Sequence, residues 1–395
     1  MTETKICGAK EKTRLIAWMA SIYFVCMPLS IIPLPGDISL LKAISILIGG
    51  GFIIALFIGE NKIKLNVVHF FLFLYVVYSL SSIFILHDEN AWTNLRGILE
   101  TTVIFTLIST RIYNKREKNL ILNSWIIVGA ISVIFMLTSG VNITGGGERL
   151  TLSLAGGNED PNQFCGYFFL PILISLDRIV KPGTKIRYHI FYIIFILSMI
   201  YVVFATGSRG GLIAVVAAIV GFLFFAVRGV GGKIKILTVT ILLGAIFATV
   251  LFPLLPESIV ERMSVESVLE DGGSGRFEIW GVIWEAIFRS EKSVIVGNGI
   301  GSTIGFLKEA GIGNYVAHNH WLQIMCDQGL IGLILFMFLF IACFFKTFKN
   351  NKVVAISILG MLALSMSLTL YAAYKPFWNI LMMSAMNYEE EEEND

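Results

Sequence analysis

The stretch HNHWLQIMCDQGLIGLILFMFLFIACFF at positions 318–345 joins a polar loop to a long apolar run. About 20 consecutive apolar residues are enough for a helix to cross a bilayer. The stretch therefore predicts a membrane-spanning helix whose start carries His318 and His320 on either side of Asn319. Ionisable side chains at membrane depth are costly and usually functional, so these residues are the first candidates for a site.

The composition of the whole chain also indicates a polytopic membrane protein. Its 395 residues are 56% hydrophobic and only 15% charged, whereas soluble domains carry about 25% charged residues. The net charge of +2 gives no sign of nucleic-acid binding. The histidines and cysteines do not follow metal-ligand spacing, and no metal or other cofactor is expected.

Apolar runs predict twelve spans and an all-α fold. They lie at roughly 15–34, 39–59, 65–86, 97–110, 120–138, 162–177, 188–206, 210–227, 234–253, 319–345, 353–373 and 375–387. Most lysines and arginines fall in alternate loops, which places both termini in the cytoplasm. The predicted segments are membrane helices 1–9 (residues 1–253), an exoplasmic loop (254–317), membrane helices 10–12 (318–388) and an acidic tail (389–395).

The exoplasmic loop 254–317 is long enough to have structure of its own. Within it, RFEIWGVIWEAIF at 276–288 places Phe277, Trp280, Trp284 and Phe288 at helical spacing. An aromatic face of this kind is typical of an amphipathic helix in the membrane interface.

Three arginines are candidates because the positive-inside bias disfavours them on the exoplasmic side. Arg209 lies in TGSRGG, where two glycines permit a sharp turn or a close approach. Arg276 follows DGGSG and opens the tryptophan-rich helix, which suits an anion site at a helix N-terminus. Arg149, after GGGE, is the weakest of the three, since a loop arginine is normally solvated.

Other polar residues have a structural alternative at least as strong as a functional one. His318 or Asn319 is expected near the N-cap of the tenth span, with His318 and Trp321 on one helix face. Asp327 is either an intramembrane partner or a satisfied polar group. Asp160 is expected to cap the sixth span, with Pro161 in its first turn; together with Glu159 it could also bind a sugar hydroxyl.

The order of the motifs resembles the O-antigen ligase and polymerase superfamily over roughly residues 145–345. The motifs are TGSRGG (206–211), SGR (274–276) with Trp280 one turn on, VGNGIG (296–301), HNHWLQ (318–323) and DQGLIG (327–332). The resemblance implies a GT-C-like, metal-independent glycosyltransferase in the cytoplasmic membrane. Such an enzyme moves a glycan from an undecaprenyl-diphosphate carrier to a glycan or lipid acceptor on the outer face.

The resemblance also implies roles for the candidate residues. Arg209 and Arg276 would hold the diphosphate, and His318 would be the catalytic residue. Arg149, Asn319 and His320 complete the predicted substrate-binding set, although His320 leaves open which histidine acts. The expected partners are the lipid-linked oligosaccharide, its acceptor, the bilayer and a chain-length regulator.

Three functions remain open on the sequence. The first is a polymerase that joins lipid-linked repeat units, favoured because nothing marks a lipid A core site. The second is a ligase that transfers the finished glycan to lipid A core or another acceptor. The third is a transporter of the lipid-linked glycan, which predicts charges at the bilayer midplane and pseudo-symmetric halves.

Overall fold

The structure is a computed structural model that describes residues 13–36, 38–59, 62–86, 89–139, 141–143, 148–155, 157–227, 229–264, 275–370 and 374–389. Three features of the sequence lie outside the described residues: the glycines at 145–147, residues 271–274 before Arg276, and residues 390–395 of the acidic tail.

The described chain is almost entirely helical. Its helices are α1 (Leu15–Val25), α2 (Leu40–Phe57), α3 (Val67–Ser81), α4 (Glu89–Ser109), α5 (Lys115–Ser139), α6 (Pro161–Phe164), α7 (Phe169–Val180), α8 (Ile186–Ala205), α9 (Arg209–Gly221), α10 (Val230–Ile246), α11 (Glu257–Arg262), α12 (Arg276–Phe288), α13 (Glu291–Val296), α14 (Ser302–Glu309), α15 (His320–Asn350), α16 (Lys352–Ser365) and α17 (Lys375–Ala385). Short strands pair as β1 (Pro33–Leu34) with β2 (Ile38–Ser39), β3 (Ile112–Tyr113) with β8 (Asn387–Tyr388), β4 (Val141–Ile143) with β5 (Glu148–Leu150), and β6 (Ser153–Leu154) with β7 (Gly157–Asn158).

Helices occupy each of the twelve predicted spans, but not all of these helices are long and apolar enough to cross a bilayer. Among the described residues, eight helical segments are long and apolar enough to cross a membrane, and α1 and α16 are shorter apolar helices. The all-α polytopic class is therefore confirmed, while the count of twelve stays a prediction. The fourth helix begins at Glu89, eight residues before the predicted span, because polar residues in its first turns conceal it from a hydropathy reading.

The connections between helices collect at two ends of the bundle. At one end, Arg14 donates to the Glu117 carboxylate over 2.9 Å, β3 pairs in parallel with β8, and Lys118 donates to the carbonyl of Asn350 over 3.2 Å. We call this the lysine-rich end, since lysines line its two large depressions. The described parts of the segment 254–317, residues 254–264 and 275–317, lie at the opposite end.

At the opposite end, helices α11–α14 give the predicted loop a structure of its own, and α15 holds part of it in place. The Asp327 carboxylate accepts hydrogen bonds from the backbone and hydroxyl of Thr303 at 3.0 and 2.7 Å, from Gly301 N at 3.0 Å and from Gln323 Nε2 at 3.1 Å. Gly329 breaks the helical path of α15 with a φ of 64°, and a Cβ there would lie 2.5 Å from the backbone nitrogen of Gly297. Asp327 is thus a satisfied structural group, and both glycines permit a close backbone contact.

Replacing Asp327 tests that structural role. Hydrogen bonds to charged groups contribute about 1.5–3 kcal/mol each, and buried donors left unpaired add a penalty. We expect Asp327→Ala to destabilise the purified protein by more than about 3 kcal/mol, seen as a large fall in the midpoint of thermal unfolding. The control is Asp177→Ala, which removes a solvent-facing pair with Lys181 worth about 0.2–1 kcal/mol. An Asp327→Ala protein that unfolds with the wild type but loses activity would assign Asp327 a functional role instead.

Candidate active site

Three arginines from separate elements meet at the end opposite the lysine-rich end, around the turn between α8 and α9, and Arg276 acts electrostatically on one of them, Arg149. Arg149 Nε donates to the carbonyl of Thr206 over 2.7 Å, and Arg262 Nε donates to the carbonyl of Gly207 over 3.2 Å. Arg209 donates from Nε and from a terminal nitrogen to the carbonyl of Arg262, at 2.9 and 2.6 Å. Three guanidinium groups are therefore held by backbone carbonyls of one turn and of α11.

The TGSRGG motif builds this turn. Gly207 has a φ of +62°, and a Cβ there would lie 3.1 Å from Arg262 Cδ and 3.4 Å from Arg149 Nε. Ser208 caps α9 by accepting from Gly211 N over 3.1 Å, which makes Arg209 the first helical residue. The missing side chain at position 207 leaves room for two arginines to approach the backbone.

Arg149 is more central than the sequence suggests. Its position in a glycine-rich loop predicts a solvated residue, but β5 places Arg149 in the interior, with only 5% of its surface exposed. Besides Thr206 it contacts the Asn162 side-chain oxygen at 3.1 Å, and no carboxylate of the described residues forms an ion pair with it. Burial, followed by repulsion from Arg262 and Arg276, lowers the pKa of Arg149 to about 10. A buried cation held only by neutral acceptors favours an anionic ligand.

Arg276 reaches the cluster from the tryptophan-rich helix. It opens α12 after Gly275, whose left-handed backbone ends the loop. Trp280, one turn on, donates from its indole nitrogen to the carbonyl of Ala317 over 2.9 Å, which ties α12 to the residue before His318. The predicted aromatic face is confirmed in part: Phe277, Trp284 and Phe288 are exposed, while Trp280 turns inward.

His318 lies next to these cations, immediately before α15. Its φ of 48° is unusual for a residue other than glycine and indicates local strain of the kind found at functional sites. Its Nδ1 is buried and has no hydrogen-bond partner among the described residues. Burial lowers the pKa of His318, Arg276 lowers it further, and Asp160 opposes both. The expectation that His318 and Trp321 share a helix face is wrong, because Asn319 is the N-cap and His318 lies outside the helix.

His320 and Asn319 have structural contacts instead. The Asn319 side-chain oxygen accepts from the backbone nitrogens of Trp321 and Leu322 at 3.0 and 3.1 Å. His320 is 1% exposed, accepts at Nδ1 from Leu370 N over 3.3 Å and packs 4.9 Å from the Phe336 ring. Both residues hold the start of α15, so of the two histidines His318 is the better placed to meet a ligand.

The segment before α6 completes the surroundings of His318. Asp160 caps α6 as predicted, accepting from the backbone nitrogens of Asn162 and Gln163 at 2.8 and 3.1 Å, and Pro161 is the first helical residue. Asp160 also interacts electrostatically with His318 and Arg149. Asp160 is therefore an acidic group that raises the pKa of both His318 and Arg149.

Sequence reasoning missed Arg262. It lies at the end of α11, a six-residue helix, and the local sequence ESIVER gives no turn, glycine or aromatic signal. The only available hint is that it is one more arginine on the side where the charge bias disfavours arginine. Arg262 interacts with both Arg149 and Arg209, so it belongs with the other cations.

The arrangement suits the binding of a polyanion next to a base. Guanidinium groups form bidentate, charge-assisted hydrogen bonds with phosphate, and a histidine of lowered pKa is neutral and able to accept a proton near pH 7. In the described part of the chain, no three histidine, cysteine or acidic side chains cluster as metal ligands would.

Comparison with known proteins finds a family model that matches part of the chain. No curated protein matches the chain. Residues 194–337 match the family model described as O-antigen ligase, and this segment contains Arg209, Arg262, Arg276 and His318 but not Arg149. Over this segment, the chain is similar to the O-antigen ligase family.

Proposed function

We propose that this protein is a glycosyltransferase that uses an undecaprenyl-diphosphate-linked glycan as donor and acts as a polysaccharide repeat-unit polymerase. The arginine cluster formed by Arg149, Arg209, Arg262 and Arg276 would bind the donor diphosphate. His318 would be the base that activates the acceptor hydroxyl. The apolar helices would accommodate the polyprenyl chain.

The reaction follows from these roles. His318 removes the proton from a hydroxyl group of the acceptor saccharide as its oxygen forms a bond to the anomeric carbon of the donor. The bond between that carbon and the phosphate oxygen breaks, and its electron pair leaves with undecaprenyl diphosphate. The arginine cluster stabilises the negative charge that develops on the departing phosphate, while general-base catalysis contributes at the attacking oxygen.

One observation carries this proposal: Arg149 is buried, lies among other arginines and has no ion pair with any described carboxylate. Removing a cation from water without a counter-ion is costly, so such a site is expected to be stable with an anion bound. A diphosphate supplies two adjacent anionic groups, which several guanidinium groups can hold together.

The distribution of basic residues supports a reaction at the outer face of the cytoplasmic membrane. Basic residues of short loops favour the cytoplasm, which assigns the lysine-rich end to that side. The arginine cluster is then exoplasmic and both termini are cytoplasmic. A transporter is less favoured, because its essential charges would lie near the bilayer midplane, whereas these arginines collect at one end.

A reconstituted assay tests the proposal. Purified protein in nanodiscs is given a lipid-linked oligosaccharide, and the products are separated by size and identified by mass spectrometry. We expect a ladder of longer lipid-linked glycans together with released undecaprenyl diphosphate. Heat-inactivated protein is the control for spontaneous hydrolysis.

Each other outcome assigns a different function. A single transfer that requires added lipid A core would identify a ligase. Movement of the lipid-linked glycan across a liposome membrane, with no new glycosidic bond, would contradict the enzyme and favour the transporter.

A further inference from the structure

A cavity of about 490 Å³ lies beside the candidate active site and is used by none of the roles described above. Its volume falls within the range of about 300–1,000 Å³ that is typical of ligand pockets. Its walls come from distant parts of the chain: α1 and the turn after it, the start of α2, α4, Glu159 and Gln163, Val316, and Thr369, Tyr374 and Lys375.

The wall shared with the arginine cluster is the start of α6. Asn162 contacts Arg149 on one side, whereas Glu159 and Gln163 line the cavity on the other. Val316 in the same wall is two residues from His318. The cavity and the cation cluster therefore lie on two sides of one short segment, close to the proposed base.

The cavity carries polar groups suited to a saccharide. Glu159 and the amides of Asn94 and Gln163 line it together with Tyr374. Burial, together with the smaller effect of the neighbouring Asp160, raises the pKa of Glu159 to about 8. Below that pH, Glu159 is mainly a neutral acid, which can donate a hydrogen bond to a hydroxyl without repelling an anion.

Charged side chains also line the cavity. The Glu100 carboxylate is already bound by Lys42 at 2.6 Å and by Arg96 at 2.8 Å. Lys375, the first residue of α17, lines the same cavity and interacts electrostatically with Glu100 and Lys42. Within the described part of the chain, the Lys375 ammonium group has no hydrogen-bond or ion-pair partner, so it is the group that remains to bind an anionic substituent.

From this geometry we infer that the cavity is the acceptor subsite, and that it selects a saccharide with a carboxylate-bearing sugar, which Lys375 binds. The inference rests on the proposed glycosyl transfer, since that reaction needs an acceptor hydroxyl near His318. It adds a specificity that the diphosphate site cannot provide, because the diphosphate is common to all donors of this kind.

Binding of free saccharides tests the inference without catalysis. The probes are a galacturonic acid trisaccharide and its carboxyl-reduced counterpart, a galactose trisaccharide, measured by calorimetry on the purified protein in nanodiscs. We expect the wild type to bind the acidic probe about 10-fold more tightly, the equivalent of about 1.4 kcal/mol. Lys375→Gln should remove this preference and Lys375→Arg should retain it, while the control Lys352→Gln at the lysine-rich end should behave as the wild type.

The outcomes separate this inference from the proposed function. Equal affinity for both probes, no binding of the acidic probe, or an undiminished preference in a folded Lys375→Gln protein would each overturn the acceptor subsite. Selective binding by wild type and by His318→Ala, with no glycosidic bond formed by the wild type, would support the subsite and contradict the polymerase.

Discussion

His318→Ala is expected to lower the turnover number for glycan transfer by about 10²–10⁴-fold, the usual contribution of a general base. The fold should persist, because His318 lies outside α15 and its Nδ1 has no hydrogen-bond partner among the described residues. The measurement is the initial rate of lipid-linked glycan elongation by purified variants, with thermal unfolding recorded alongside.

The matched control is His320→Gln. Glutamine retains an acceptor for the backbone nitrogen of Leu370 but loses the contact with the Phe336 ring. We expect reduced stability with turnover within a few-fold of the wild type. If His320→Gln is folded but inactive while His318→Ala retains normal turnover, the base must be reassigned to His320.

The pH profile provides an independent test of the same role. Burial and Arg276 lower the pKa of His318 from 6.5, so activity should be constant near neutral pH and fall on acidification below 6.5, as the imidazole gains a proton. Asp160 raises that pKa, and Asp160→Asn keeps a residue suited to the N-cap. The acidic limb of the pH–activity profile should therefore move to lower pH in Asp160→Asn. If it does not move, the fall in activity at low pH is not caused by protonation of His318.

Removing a cation from the arginine cluster is the second change with a large expected effect. We expect Arg149→Ala and Arg276→Ala each to lower kcat/KM by about 10²–10³-fold, the cost of losing one preorganised group that stabilises developing negative charge. Lysine at either position should restore only part of the activity, because an ammonium group cannot reproduce bidentate binding to phosphate. Steady-state kinetics at several donor concentrations gives the measurement.

The control for charge is Arg187→Ala, an exposed arginine at the lysine-rich end, which should leave kcat/KM unchanged. A binding measurement with undecaprenyl diphosphate in nanodiscs separates a diphosphate site from a structural role. If Arg276→Ala is folded, binds this lipid with wild-type affinity and elongates glycans normally, the arginine cluster is not the donor site.

The salt dependence of the wild-type elongation rate is a further test. The rate should fall with increasing salt less steeply than it would for a site of exposed charges, since buried groups are poorly screened.

Local sequence was sufficient to predict the features that depend on local physics. Asp160 and Asn319 cap helices because a short polar side chain reaches the free backbone nitrogens of the first turn. The apolar runs predict the helices because the bilayer demands paired backbone groups over about 20 residues. Local signals also explain the errors in bounds: the polar start of α4 hides its first turns, and Pro28 in the turn after α1 ends that helix earlier than the apolar run suggests.

Sequence alone predicted a helical membrane protein and singled out a few arginines and histidines as candidates for a site, because hydropathy and charge bias act along the chain. Only the tertiary structure decided which of these groups meet. Arg149 and Arg262, separated by more than a hundred positions, both reach the turn at Gly207 because that position has no side chain, and Lys375 faces a cavity built from distant segments. Burial and contact of this kind depend on how helices pack, which no local stretch of residues specifies.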